Sequence, residues 1–188
     1  MDKDTGDERY HAETAAPESA SLLRDYSFLL TGGKALDVAM GSGHNAVFLA
    51  SHGYDVEGVD ISPVAVSRAG ELAAKSGVPI NAVEADLSNY SVPEQSFDLI
   101  INFYYLDRKL IPQLKKGLRK NGLIFFETYT IEQRQFGKPS NPDYLLRPNE
   151  LLRAFLDFFI IFYHERIIVE STAPKAIASL IAQKVRHN

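Results

Sequence analysis

The stretch that decides the fold is KALDVAMGSGHNAVFLA, Lys34 to Ala50. Leu36, Val38 and Met40 alternate as on a buried strand, Gly41-Ser42-Gly43 reads as a turn, and HNAVFLASH reads as a helix ended by Gly53. Asp37 sits inside the apolar run. An unpaired carboxylate in such surroundings costs on the order of several kcal/mol, so it calls for a partner or for solvent.

Outward from this stretch, strands and helices alternate. YDVEGVDI is a second strand. Ser62-Pro63 gives a helix a cap and a first turn, and Ala65, Ala69, Leu72 and Ala73 form its apolar stripe up to Gly77. INAVEA, SFDLIINFY and LIFFETY read as the third, fourth and fifth strands. Between the last two, Leu106, Leu110, Leu114 and Leu118 recur every four residues as one buried helix face. Pro112 belongs in the first turn of that helix, which starts near Arg108 to Ile111. Residues 130–147 read as a long loop, PNELLRAFL as a short helix from Pro148, and FIIFYHERIIVE and KAIASLIAQKV as a final antiparallel pair. At the other end, residues 1–17 read as a mobile arm carrying Tyr10, and residues 18–30 as a helix. The expectation is an α/β protein of one domain over 1–188, with its catalytic core at 31–188. Its doubly wound, mostly parallel seven-stranded sheet would carry helices on both faces, with the last strand antiparallel.

Composition narrows the function classes. With 188 residues, 45% hydrophobic and 23% charged, the chain suits one soluble domain. The absence of cysteine removes disulfides, zinc-thiolate sites and cysteine nucleophiles. A net charge of -4 gives no general field for nucleic acid or an anionic membrane. The N-terminus has no apolar signal core, and FLDFFIIFY is too short to span a bilayer, so a cytoplasmic location is expected. The basic run RKLIPQLKKGLRK reads as a solvated helix face that complements a helix dipole rather than as an RNA surface.

Ligands of doubly wound sheets bind beyond the carboxyl ends of the strands. Three strand ends there carry chemistry. Gly41 and Gly43 admit close backbone approach, and with Ala46 they also satisfy the dinucleotide pattern G-x-G-x-x-G/A or a purely structural turn. Asp60, seventeen residues after Gly43, suits the two hydroxyls of a ribose, or it is a charge at the next helix start. Asp86 can accept from the exocyclic amine of adenine, or it closes an Asx turn. An adenosine bearing a positively charged amino-acid tail satisfies all three and gives Asp37 an ammonium to face. A pyrophosphate there would be repelled.

LDVAMGSGHNAVFLASHGYDVEGVDIS resembles motif I and the following strand of class I S-adenosylmethionine-dependent methyltransferases. EADLSNY resembles their acidic third-strand motif, SFDLIINFYYLDR their fourth strand, and LRKNGLIFFETYT the turn and strand after it. FGKPSNPDYLLRPNELLRAF resembles the small tellurite-resistance-type branch. The resemblance implies a Rossmann-like methyltransferase fold with S-adenosylmethionine as cofactor and S-adenosylhomocysteine as product. It implies that Asp37, Ala39, Gly41 and Gly43 hold the methionyl part. Asp60 and Ile61 would meet the ribose and adenine, Asp86 and Leu87 the adenine edge, and Asn102, Phe103 and Tyr104 the methionyl side and the methyl group. Ala39 stands where the family has glycine. No Asn-Pro-Pro-Tyr-like motif follows the fourth strand, which argues against the amino-methyltransferases that share it.

The expected activity is methyl transfer to a small-molecule acceptor by in-line displacement, for which alignment matters more than a strong base. Tyr104, Glu127 and Tyr129 are the candidate catalytic residues; Tyr105, Tyr144, Arg147 and His164 are further candidates on the substrate side. Arg147 reads either as an anion holder or as an ion-pair partner of Asp143 or Glu150, and His164 as a core or edge histidine. No metal, membrane or nucleic-acid partner is expected, and the protein would be a monomer or homodimer. The competing functions are an NAD-dependent oxidoreductase and a non-catalytic S-adenosylmethionine-binding subunit.

Overall fold

The computed structural model describes residues 18–169 and 174–185. The arm expected over residues 1–17, Tyr10 included, lies outside the described residues. In chain order the elements are α1 (Ser21–Asp25), β1 (Gly33–Val38), α2 (His44–Ser51), β2 (Tyr54–Asp60), α3 (Pro63–Ser76) and β3 (Asn81–Glu84). There follow β4 (Phe97–Phe103), α4 (Ile111–Gly117), β5 (Leu118–Tyr129), α5 (Glu150–Ala154), β6 (Phe159–Ile168) and β7 (Lys175–Gln183). The seven strands form one sheet in the order β3-β2-β1-β4-β5-β7-β6. Neighbours from β3 to β5 are parallel, and β7 runs antiparallel to both β5 and β6. The order reverses between β1 and β4, where sheets of this kind open a crevice.

Strand alternation gives the sheet two apolar faces. One packs Leu36, Val38, Ile100, Phe126 and Leu180 against α4, α5 and Phe155. The other packs Ala35, Ile101, Phe125 and Ile181 against Leu22 and Leu23 of α1 and Ala46 and Leu49 of α2. Asp37 follows Ala35 by two residues and therefore lies on the α1/α2 face. α3 starts as its sequence dictates: Ser62 Oγ accepts the N–H of Ala65 at 3.1 Å, and Gly77 ends the helix in the left-handed region.

Four expectations change in detail. The helix expected over 18–30 is α1 plus a 3-10 turn over Ser27–Leu29; Leu22 and Leu23 are buried, and Tyr26, Leu29 and Leu30 pack half-buried against the same core. The leucine-stripe helix is only α4: Leu106 and Leu110 are buried ahead of it, and Leu118 already belongs to β5. Pro112 does sit in its first turn. Asn121-Gly122 does not separate helix from strand but lies in a bulge within β5, where the pairing with β4 steps from Phe97↔Leu118 to Leu99↔Leu123. The 130–147 segment is partly structured, with 3-10 turns over Ile131–Gln135 and Pro142–Tyr144 and a bridge between Thr130 and Leu146.

The basic run is an ion-paired surface. Arg108 pairs with Glu150, Lys115 with Asp157, Lys116 with Glu94 and Arg119 with Asp98. A groove of about 560 Å³ beside α4 and α5 is lined by Arg108, Lys115 and Lys116, whose charges are thus already met. Lys184 closes the end of α4: its Nζ donates to the carbonyls of Lys115 at 2.8 Å and Leu118 at 2.7 Å. The last four carbonyls of a helix lack helical partners, and Lys184 supplies a donor at this end. Lys184→Met is therefore expected to destabilise the fold by about 1–2 kcal/mol, read as a lower midpoint in urea unfolding with an unchanged slope.

Among the described residues, no helix is long and apolar enough to cross a membrane.

Candidate functional site

The turn after β1 is built from left-handed backbone. Ala39, Gly41 and Gly43 have φ of 53°, 57° and 80°. The position where the sequence departs from glycine is thus one that glycine suits best, and Ala39 holds it at a cost of roughly 1–2 kcal/mol. Gly43 also lies against α3: a Cβ there would stand 2.6 Å from that of Ala69. The turn is pinned to β2 by Asp60, whose Oδ2 accepts the N–H of Gly41 at 2.9 Å while Oδ1 accepts that of Ser62 at 2.9 Å. Both readings of Asp60 thus meet in one residue: it is a charge at the start of α3, and it stands beside the glycine turn.

Asp37 is 1% exposed. The N–H of Ala46 in α2 donates to its carboxylate, and its Oδ2 is buried with no hydrogen-bond partner. Burial, and then the charge of Asp60, raise its pKa well above the ordinary carboxylate value. Ser42 Oγ is the second buried orphan in the same turn. Two unpaired polar atoms around a glycine turn leave room for a polar ligand, and a cationic group facing Asp37 would remove the electrostatic cost. The donor and acceptor set therefore fits the amino-acid end of S-adenosylmethionine.

Beyond β3, Asp86 is exposed and accepts the N–H of Ser88 at 2.9 Å. This is the Asx turn, and that bond holds its pKa below the usual value. Leu87 is buried and Ile61 half-buried. Asn102 is buried and donates through Nδ2 to the carbonyl of Tyr105 at 2.8 Å, so it fixes the chain just past β4.

At that point Tyr104 turns into the left-handed region, φ 59°. Its hydroxyl donates to Glu127 Oε1 at 3.1 Å, and its ring lies 5.1 Å from that of Tyr129. Tyr104, Glu127 and Tyr129 are therefore one cluster. Glu127 is 2% exposed, and its other oxygen accepts the hydroxyl of Ser179 at 2.6 Å. Burial, and then the charge of Glu127, push the Tyr104 hydroxyl well above the ordinary tyrosine range, so it remains a donor. Burial, and then the charges of Asp107 and Asp86, push Tyr105 up to about 12.

Register places these groups on one side of the sheet. Gly58, Asp37, Ile101, Phe125 and Ile181 pair across adjacent strands, and the next row toward the carboxyl ends holds Phe103, Glu127, Ser179 and His164. Asp60, two residues after Gly58, shares that side. The Asp37–Asp60 turn and the Glu127 cluster thus open onto the same α1/α2 face. The remaining substrate-side candidates divide. His164 is exposed on the edge strand β6, in the Glu127 row. Tyr144 and Arg147 are exposed beyond the 3-10 turn; Glu150 pairs with Arg108, and Arg147 gives it a backbone N–H at 2.8 Å. Ser179, Lys175 and Arg166 are site neighbours that sequence reasoning missed. The one signal for Ser179 is a lone hydroxyl within the apolar AIASLIA.

Residues 35–122 match the family model of a methyltransferase domain. A protein named hemagglutinin 1 from Eikenella corrodens is 32% identical over 108 residues, which are 56% of this chain and 36% of that protein. The probable S-adenosyl-L-methionine-dependent methyltransferase TehB of Haemophilus influenzae is 25% identical over 149 residues, 76% of this chain and 52% of that protein. This chain thus spans about half or less of the curated relatives it matches. The crystal structure of TehB from Haemophilus influenzae superposes with a TM-score of 0.77 at 21% identity, over 97% of this chain and 66% of that one, a match of fold. Residues 35–122 are thus similar to a methyltransferase domain, and the chain shares the fold of the TehB crystal structure.

Proposed function

We propose that the chain transfers a methyl group from S-adenosylmethionine to a small-molecule acceptor by in-line displacement. The observation that carries this reading is the shared face: an orphaned, buried Asp37 oxygen at the glycine turn and a hydroxyl-bound Glu127 one pleat row further on. Bound there, S-adenosylmethionine supplies a methyl group already activated by its sulfonium. The protein's part is alignment and exclusion of water, worth roughly 7–11 kcal/mol when well oriented.

In this reading Asp37 receives the ammonium of the methionyl part, and Ala39, Gly41 and Gly43 let the backbone approach it. Asp60 meets the ribose hydroxyls, with Ile61 toward the adenine and Asp86 and Leu87 at its edge. Asn102 and Phe103 border the methionyl side. Tyr104 and Tyr129 wall the acceptor, and Glu127 takes its proton when the nucleophile carries one. A dinucleotide oxidoreductase is disfavoured because the unpaired Asp37 oxygen would meet a pyrophosphate. A purely binding role leaves the Glu127–Tyr104–Tyr129 cluster without a task.

The test is calorimetric titration with S-adenosylmethionine, S-adenosylhomocysteine and NAD. Asp60→Ala is expected to weaken the sulfur compounds about 10- to 100-fold, since a charge-assisted bond is lost. Because Asp60 also pins Gly41, Asp60→Asn is the control that retains an acceptor for that N–H. Binding of NAD alone by a folded protein overturns the proposal.

A further inference from the structure

We propose that the acceptor carries a carboxylate-like anionic group, held by Arg166 and Lys175 at the rim of the Glu127 cluster. This rests on the reading of that cluster as the acceptor site. Arg166 pairs with Ile177, which also pairs with Tyr129, so the arginine stands on the α1/α2 face in line with Tyr129. Lys175 follows diagonally, two residues before Ile177 on the same face of β7. Diagonal neighbours of an antiparallel pair lie about 7–8 Å apart, a span that one carboxylate bridges with long basic side chains on either side. Lys175 Nζ lies 5.3 Å from the centre of the Tyr104 ring, the ring whose hydroxyl binds Glu127. The Arg166 charge also reaches the Tyr104 hydroxyl, where it opposes the upward shift.

Neither cation has a carboxylate partner among the described residues, whereas Arg108, Lys115, Lys116 and Arg119 each have one. Glu127 accepts from Tyr104 and Ser179 and stands in no ion pair with either cation. Glu165, the neighbour of Arg166, points to the opposite face and accepts from the Tyr163 hydroxyl and the Asn149 N–H. Two cations without a carboxylate partner among the described residues therefore border the Glu127 cluster. An acceptor with a neutral or anionic nucleophile at one end and an anionic handle at the other satisfies both, since the handle meets Arg166 and Lys175 while the nucleophile faces Tyr104 and Glu127.

Three thiols of one size and different charge test this: mercaptoacetate, 2-mercaptoethanol and cysteamine. Each is titrated calorimetrically into protein saturated with S-adenosylhomocysteine, so that no turnover occurs. Mercaptoacetate is expected to bind about tenfold or more tighter than 2-mercaptoethanol, and cysteamine weakest. The double variant Arg166→Gln, Lys175→Gln is expected to erase the preference and leave S-adenosylhomocysteine affinity unchanged. Equal binding of the three, no binding of mercaptoacetate, or a preference that survives the double substitution overturns the proposal. If S-adenosylhomocysteine itself fails to bind, the cofactor reading falls instead, and the same thiols titrated into free protein still decide the anion site.

Discussion

Asp37→Asn is expected to stabilise the ligand-free protein and to weaken S-adenosylmethionine binding, two effects of opposite sign from one oxygen. The carboxylate is buried beside Asp60 with one oxygen unpaired, and its folded pKa lies well above its ordinary value of 3.8. An acid raised in this way contributes full stability below the unfolded pKa and loses it as pH rises through the folded one. Asparagine has no charge to desolvate. The variant's Tm in ligand-free form should exceed the parent's by several degrees at pH 8, and the gap should shrink as pH falls toward 5. Binding runs the other way. A cationic group facing Asp37 favours the ionised form, so cofactor binding releases a proton and affinity rises with pH until Asp37 ionises unaided. Removing the charge is expected to lower affinity about 10- to 100-fold and to abolish proton release, read from calorimetry in two buffers of different ionisation enthalpy. A variant that is less stable at pH 8, or that still releases the proton, would show that Asp37 serves only to hold the N–H of Ala46.

Glu127→Gln is expected to lower kcat by about 10²- to 10⁴-fold for acceptors that must lose a proton in the transfer, hydroxyls and ammonium groups above all. Glutamine still accepts from Tyr104 or Ser179, so the cluster keeps its shape but loses its base. Cofactor affinity should not change, because Glu127 on β5 lies two strands from β1 and its glycine turn. A thiolate acceptor has already shed its proton and should lose much less. Steady-state rates with a hydroxyl and a thiol acceptor separate the outcomes. Equal losses for both would assign Glu127 to shape alone, and no loss for either would remove it from the chemistry.

The proposed cofactor end of the site was far more legible than the proposed acceptor end. Asp37, Gly41, Gly43 and Asp60 fall within 24 residues of sequence, where strand period and turn chemistry fix which way each one faces. Glu127 and Tyr104 were legible as strand-end residues, but their pairing was not, since the hydrogen bond spans 23 residues across two strands. Ser179, Arg166 and Lys175 were invisible as site residues for a stronger reason. Their side of the sheet depends on β7 entering between β5 and β6, and on the register irregularity between Ile160 and Phe162. No local period encodes either. The leucine stripe misled in length because apolar spacing alone cannot distinguish the buried residues of α4 from those of the strand that follows it.

The placement of β7 bears on how the protein comes into being. Among the described residues this strand follows all the others, yet it occupies an interior slot and is buried along nearly its whole length. Until it docks, β5 and β6 expose facing edges that invite pairing with other chains. The bond from Ser179 to Glu127 closes a loop of 52 residues, so the proposed acceptor floor exists only once β7 has docked. A nascent or clipped chain lacking β7 would keep much of the cofactor end while having no acceptor floor. Chaperones would meet such a chain at the open slot between β5 and β6.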